Sequence, residues 1–235
     1  MKIDVFTLCY NEEVLMPYFL RHYLSFCDTV TIYDNKSTDR SIDIAKQNRK
    51  VKIISYSSDN SFRDDIHRQI KNTCWKDSKA DWVIVVDFDE FVYLVPGDTR
   101  MYDSTIIEPC WWDMISDKLP STKGQIYEEI NQGRILPESK MVMFRPSFIK
   151  DIRYEVGAHT CSPIGDVRLL KTPLISILHY KMLSLDYYLN RTNLLASRLS
   201  KMNKSKRWGF HYNFPHEQIV QYYEETWKIK RQISL

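Results

Sequence analysis

Residues 82–91 read Trp82-Val83-Ile84-Val85-Val86-Asp87-Phe88-Asp89-Glu90-Phe91. Five consecutive apolar, mostly β-branched residues run straight into three carboxylates. An unbroken apolar run of this length fits a strand covered on both faces, as in a parallel sheet flanked by helices. Asp87 and Asp89 stand two apart, so an extended backbone would turn both toward one side. Two such carboxylates repel each other unless a cation compensates them. Mg²⁺ or Mn²⁺, which prefer oxygen ligands, are the expected compensators.

The residues before this run repeat its logic. Ile3 to Cys9, Thr29 to Tyr33 and Val51 to Tyr56 are further β-rich stretches. Between them, Leu15, Phe19, Tyr23 and Phe26 recur at helical spacing. Ser37-Thr38-Asp39 supplies helix-capping oxygens for a helix near 39–48. Ile66, Ile70 and Cys74 mark another helix after the polar stretch 57–61. The order βαβαβαβ predicts an α/β fold with a mostly parallel sheet. Ligands of such sheets lie outside the carboxyl ends of the strands. Those ends carry Cys9-Tyr10-Asn11-Glu12, Asp34-Asn35 and Asp87-Phe88-Asp89-Glu90, which predicts an acidic rim.

The pattern weakens after residue 95. Pro96-Gly97-Asp98 reads as a turn, Pro109-Cys110-Trp111-Trp112 as a loop with a hydrophobic anchor, and 140–148 as a strand interrupted by Pro146. Strand 174–180 and a helix from Ser184 to about Met202 follow, with no Gly- or Ser-rich linker.

Composition narrows the function. Hydrophobic residues make up 43% of the 235, and the formal charge is only +3, which excludes a disordered chain. No run reaches the roughly 18–20 apolar residues of a membrane span, and residues 1–13 lack the pattern of a secretion signal. A soluble, cytoplasmic protein is expected. The five cysteines form no CxxC pair, against a thiolate zinc site. With six glycines there is no GxGxxG and no GxxxxGK[ST], against a dinucleotide-binding Rossmann enzyme or a P-loop NTPase.

Taken together, Tyr10-Asn11-Glu12, the stretch YDNKSTDRS (33–41) and WVIVVDFDEF (82–91) resemble family 2 type glycosyltransferases of the GT-A fold. The nearest flavour is the family 92-like branch, with HYKMLS (179–184) after the core. The resemblance is firm over 1–95 and loose over 150–210. It implies a Rossmann-like GT-A sheet with a helical C-terminal extension. Residues 1–95 would bind the nucleotide sugar, 96–183 would complete the metal and acceptor side, and 184–235 would form the extension. It also implies a nucleotide-sugar donor, UDP-sugar foremost, a divalent Mn²⁺ or Mg²⁺, and inversion at the anomeric carbon. Two departures stand out. Lys36 replaces a turn glycine, and no Q-x-x-R-W motif of processive synthases follows.

Carried over residue by residue, Tyr10 resembles the aromatic that stacks on the base. Leu8, Asn11 and Glu12 belong to the same loop. Asp34 resembles the carboxylate that reads the nucleoside, and Asp87 would lie near ribose and metal. Asp89 and His179 would complete the metal site, and Arg63 and His67 would lie near the diphosphate. An inverting transfer needs a group that removes the acceptor's proton. Glu155 is the first candidate and His159 the second, with Gly157 between them and Asp166 and Asp186 as runners-up.

The segment 181–212 is basic, with Lys181, Arg191, Arg198, Lys201, Lys204, Lys206 and Arg207 against the single acid Asp186. It suits a solvated helix end, an anionic or lipid-linked acceptor, or peripheral contact with a membrane. The expected partners are the donor and a glycan, lipid-linked or protein-linked acceptor. Two other functions compete. A sugar-phosphate nucleotidyltransferase would need a Gly-rich phosphate loop, which the sequence lacks. A nucleic-acid-binding module conflicts with the near-neutral charge, so no nucleic acid is expected.

Overall fold

The computed structural model describes residues 1–95 and 99–233; the turn expected at Pro96-Gly97-Asp98 lies outside the described residues. The N-terminal part alternates as expected: β1 (Ile3–Cys9), α1 (Met16–Tyr23), β2 (Thr29–Asp34), α2 (Ser41–Ala45), β3 (Val51–Ser55), α3 (Asp64–Thr73) and β4 (Trp82–Val86). Strands run parallel in the order β3-β2-β1-β4. All five residues of β4 are buried. Helix α1 turns Met16, Phe19, Leu20 and Tyr23 onto the sheet, and Phe19 stacks on Phe88 with centroids 4.3 Å apart.

The remaining strands make the sheet mixed. They are β5 (Glu90–Leu94), β6 (Ile106–Ile115), β7 (Gln132–Leu136) after the short α4 (Ile126–Glu129), β8 (Met143–Phe144) and β11 (Leu169–Met182). A separate hairpin pairs β9 (Ile149–Asp151) with β10 (Ile164–Gly165). Strand β8 pairs antiparallel with both β4 and β6 and so bridges the two halves of the sheet. The C-terminal part is helical: α5 (Leu185–Arg198), α6 (Lys201–Lys206) and α7 (His216–Ile229), before β12 (Arg231–Gln232), which returns to the sheet edge at β7. Among the described residues no helix is long and apolar enough to cross a membrane.

Four expectations change. The loop expected at Pro109–Trp112 is the middle of β6, where Ile106, Ile107, Trp111 and Met114 are buried. The pairing of β6 with β11 shifts register at Pro109/Cys110, which is where a residue without an N–H is tolerated in a sheet. The strand expected over 140–148 shrinks to the two residues of β8. The single helix expected from Ser184 to about Met202 is two helices, broken at Leu199. Ser184 and Ser200 each cap one by accepting a backbone N–H, from Tyr187 and Asn203 respectively. Finally, β4 ends at Val86. Asp87 to Glu90 form a turn in which the Glu90 N–H donates to the Asp87 carbonyl at 3.0 Å. Asp87 and Asp89 therefore do not share a strand face, and each meets a different set of partners.

That turn is firmly held. The Asp87 N–H donates to Glu90 Oε2 at 2.9 Å. From α1, the Tyr23 hydroxyl donates to the Glu90 carbonyl at 2.8 Å and accepts from the Val92 N–H at 3.0 Å.

Candidate functional site

A cavity of about 820 Å³ opens at the carboxyl ends of β1 and β4 and is roofed by α5, the turn Phe210–Asn213 and α7. Leu8 at the end of β1, Tyr10 and Glu12 just after it, Asn35 just after β2, and Asp87 and Asp89 in the turn after β4 line its walls.

Its polar wall is a chain of compensated charges. Asp87 is gripped by Lys71 Nζ at 2.6 Å and Lys140 Nζ at 2.9 Å. Lys140 also reaches Glu90 at 2.5 Å. Burial disfavours ionised Asp87, but the two ammonium groups outweigh it and hold the carboxyl well below its usual range. Asp89 Oδ2 lies 3.3 Å from His179 Nε2 and 3.3 Å from an Arg191 nitrogen. Burial again opposes its charge, and Arg191 with His179 overcomes that and holds the carboxyl low. His179 Nδ1 is 2.8 Å from Asp113 Oδ1, and the other Asp113 oxygen takes Lys181 and the Tyr222 hydroxyl, each at 2.8 Å. Burial lowers the imidazole's pKa, yet Asp89 and Asp113 on its two sides raise it to about 9.

Among the described residues no three His, Cys, Asp or Glu side chains gather as a ready metal cage. Two of the three expected ligands nevertheless suit a hard divalent cation. With Nδ1 committed to Asp113, Nε2 of His179 faces the Asp89 carboxylate, the arrangement in which a carboxylate fixes a ligating histidine. Their 3.3 Å separation is near that of neighbouring ligands with ~2.1 Å bonds. Cation binding there requires Nε2 to give up its proton. Asp87 does not suit this role as placed, since each of its oxygens is held by a lysine.

The nucleoside end of the cavity departs from expectation. Tyr10 lines it, but one face of the ring is already covered by the Arg198 guanidinium, 3.2 Å from the ring centroid. Asn11 is not among the lining residues. At φ +54° it clasps the neighbouring turn, accepting from the Thr38 N–H at 2.7 Å and donating to Thr38 Oγ1 at 3.1 Å. Asp34 is buried and accepts from the Ser37 N–H at 3.0 Å, so it closes the turn that leads to α2. The N-cap of α2 is Arg40, without a side-chain capping bond, rather than Ser37, Thr38 or Asp39. Its neighbour Asn35 takes the cavity position and is bonded to Ser58 at 2.8 Å. Glu12 is buried, its carboxylate accepts from Arg191 Nη1 at 2.5 Å and its backbone N–H donates to Ser41 Oγ at 2.7 Å. Burial pushes its carboxyl up to about 7 despite the arginine. His67 lines the cavity and shares a 3.1 Å hydrogen bond with the Tyr56 hydroxyl, its pKa driven down to about 4 by burial. Arg63 points elsewhere, in a bidentate pair with Asp65 at 2.6 and 2.8 Å.

The two candidate bases flank one turn, Val156–Ala158, Glu155 before it and His159 after it. His159 stacks on Trp111 with centroids 5.2 Å apart, and His179 lies 5.6 Å from the same indole. His159 is exposed at the cavity mouth like Glu155, and partial desolvation, with Lys140 after it, lowers its imidazole to about 4, which favours the neutral ring. Glu155 is mostly exposed at the rim and faces Arg68 at 3.7 Å. Asp166, paired with Arg168 at 3.3 Å, and Asp186, exposed in the first turn of α5, are not among the lining residues.

Several lining residues escaped sequence reasoning, among them Asp64, Lys71, Trp111 and Lys140, while Arg191 and Arg198 were visible only as part of the basic C-terminal segment. Asp113, behind the wall, escaped as well. Asp113 did carry a signal, an acid directly after two tryptophans in an apolar β-rich run, since such acids are rarely buried unpaired. The basic segment divides in two. Arg191 and Arg198 insert into the cavity wall, whereas Lys201, Lys204, Lys206 and Arg207 are exposed.

No family model and no curated protein matches the chain. Solved structures similar to it include glucosyl-3-phosphoglycerate synthase from Mycobacterium tuberculosis in complex with Mn²⁺, UDP-glucose and phosphoglyceric acid. There the identity is 14% over 47% of this chain and 43% of that one, with a TM-score of 0.34. Mannosyl-3-phosphoglycerate synthase from Rubrobacter xylanophilus gives 12% over 48% and 41%, with a TM-score of 0.34. HddC from Yersinia pseudotuberculosis gives 15% over 79% and 96%, with a TM-score of 0.42. The matched region spans less than half the length of either synthase.

Proposed function

We propose that the chain is a GT-A-type glycosyltransferase of the family 2 kind, close to the family 92-like branch. It would move a sugar from a nucleoside-diphosphate sugar, UDP-sugar foremost, to an acceptor hydroxyl on a glycan or glycoconjugate. The reading is of an inverting, non-processive, metal-assisted enzyme. The observation that carries it is the meeting, in one cavity at the strand carboxyl ends, of the Asp89–His179–Asp113 chain with Lys71, Lys140, Lys181 and Arg191. A wall of this kind suits a diphosphate held beside a divalent cation.

In this reading Asp89 and His179 hold the cation, which when bound supplies charge neutralisation for the leaving diphosphate. Lys181 and Arg191 stand on the same wall and stabilise the charge that grows on the phosphates as the glycosidic bond breaks. Lys71 and Lys140 fix Asp87 and set the local field. His159 is the preferred proton acceptor. Its imidazole is neutral, lines the cavity and shares Trp111 with His179, so an unprotonated ring nitrogen is available to the acceptor hydroxyl. Glu155, at the rim, is the second choice. The exposed lysines of α6 suit peripheral contact with an anionic surface, and a cytoplasmic setting fits a nucleotide-sugar donor.

The test is incubation with UDP-, GDP-, CMP- and dTDP-sugars and Mn²⁺, following release of free nucleotide. Slow donor hydrolysis with one class of donor is expected. Pyrophosphate-dependent formation of nucleoside triphosphate would replace this reading with the nucleotidyltransferase.

A further inference from the structure

Arg198 is the last residue of α5, and its position is set by the backbone. Its carbonyl accepts from the Phe62 N–H at 2.5 Å, and the Ser200 N–H returns to the Phe62 carbonyl at 3.2 Å. Leu199 and Phe62 thus pair like two short parallel strands. This contact joins α5 to the loop after β3, beside the cavity wall formed by Tyr10, Asn35 and Tyr56. The side chain lies across the ring of Tyr10 at 3.2 Å, and its Nε donates to the Asn60 carbonyl at 3.3 Å. The residue is 92% buried, from its 8% exposure, yet Nη2 has no hydrogen-bond partner.

A buried donor left unpaired costs free energy, and more on a charged group. The cost here falls on a planar, always charged fork held against an aromatic ring, a geometry suited to stacking and to a carbonyl acceptor. The same side chain lines the cavity on the wall it shares with Tyr10.

We propose that Arg198 selects the nucleobase: its guanidinium, layered on Tyr10 at the cavity wall, donates to a ring carbonyl of the incoming base. The favoured ligands are then nucleotides whose base carries a carbonyl, as uracil does and adenine does not. This rests on the reading of the cavity as a nucleotide-sugar site.

UMP and AMP carry the same phosphate and differ in the base, so calorimetric titration of both separates base from phosphate. The parent protein is expected to bind UMP at least tenfold more tightly than AMP. In Arg198→Met, UMP binding falls about tenfold or more while AMP changes less than twofold. Arg198→Lys keeps the charge but loses the fork and the stack, so it should behave as Arg198→Met does, and it carries the test if the methionine variant does not fold. Equal weakening of UMP and AMP would put the guanidinium on the phosphate and overturn the proposal, as would unchanged binding of both. A parent that binds neither nucleotide, with or without Mn²⁺, would instead remove the donor-site reading beneath it.

Discussion

Arg191 Nη1 stands 2.5 Å from Glu12 Oε2 and joins residues 179 positions apart in the chain. Another nitrogen of the same guanidinium lies 3.3 Å from Asp89. One side chain of α5 therefore ties the C-terminal helices to the ends of β1 and β4, the two strands that build the centre of the cavity. The exposed fraction is 18% for the arginine side chain and 8% for each acid, so the contact behaves as a buried ion pair rather than a surface one.

Replacing Arg191 with methionine leaves two buried carboxylates short of a cation. Removing one partner of such a pair typically costs about 3–5 kcal/mol, and a loss near the lower end is expected in urea unfolding. Glu12→Gln in the same background should recover part of it. A coupling of about 1.5–3 kcal/mol in the double-mutant cycle is the size of a charge-assisted hydrogen bond. Strictly additive losses would show that α5 is not tied to β1 in this way.

Asp64 gives a pH signature. It lines the cavity, and Asn203 Nδ2 donates to its Oδ2 at 2.8 Å. Burial, then the nearby Asp87 charge, raise its carboxyl to about 6. A carboxylate whose folded pKa is raised binds more protons folded than unfolded, so its ionisation makes stability fall as pH rises from ~4 to ~6. Asp64→Asn keeps an acceptor for Asn203 and removes that slope. Relative to the parent, the variant should gain on the order of 2–3 kcal/mol at pH 7 over its effect at pH 4. Thermal unfolding at the two pH values checks this, and an identical difference at both would contradict it.

Gly157 has φ +77°, and a Cβ there would sit 2.8 Å from His159 Cδ2. Gly157→Ala therefore combines backbone strain of about 1–2 kcal/mol with displacement of the His159 ring. The expected outcome is a modest loss of melting temperature, turnover reduced about tenfold or more, as befits a misplaced proton acceptor, and UDP affinity within twofold of the parent. Unchanged turnover would remove the 155–159 turn from the chemistry.

The legible and illegible parts of this molecule divide along physical lines. Strands β1 to β4 were readable because each is a local apolar run closed by a polar stop, and two of the four match residue for residue. The turn at Asp87–Glu90 was misjudged as extended because its geometry is set by Tyr23, 67 positions earlier. The acids of the rim were visible, while their compensating cations were not. Lys71, Lys140 and Arg191 come from three separate segments, and no local pattern links them to Asp87 or Asp89. The family resemblance puts Asp34 and Asn11 at the nucleoside. The fold uses both to close the turn at 34–39. The basic C-terminal run looked uniform in sequence, and only the helix break at Leu199 separates the arginines that enter the cavity from the lysines that face solvent.

The central claim is that the cavity holds a nucleoside diphosphate beside a divalent cation on Asp89 and His179. Calorimetric titration of UDP into the parent and into folded Asp89→Asn, each with and without Mn²⁺, tests it most directly. The account predicts saturable binding by the parent that Mn²⁺ tightens at least tenfold, with that gain abolished in Asp89→Asn. A parent that ignores UDP, or an Asp89→Asn variant that keeps the full Mn²⁺ gain, would contradict it.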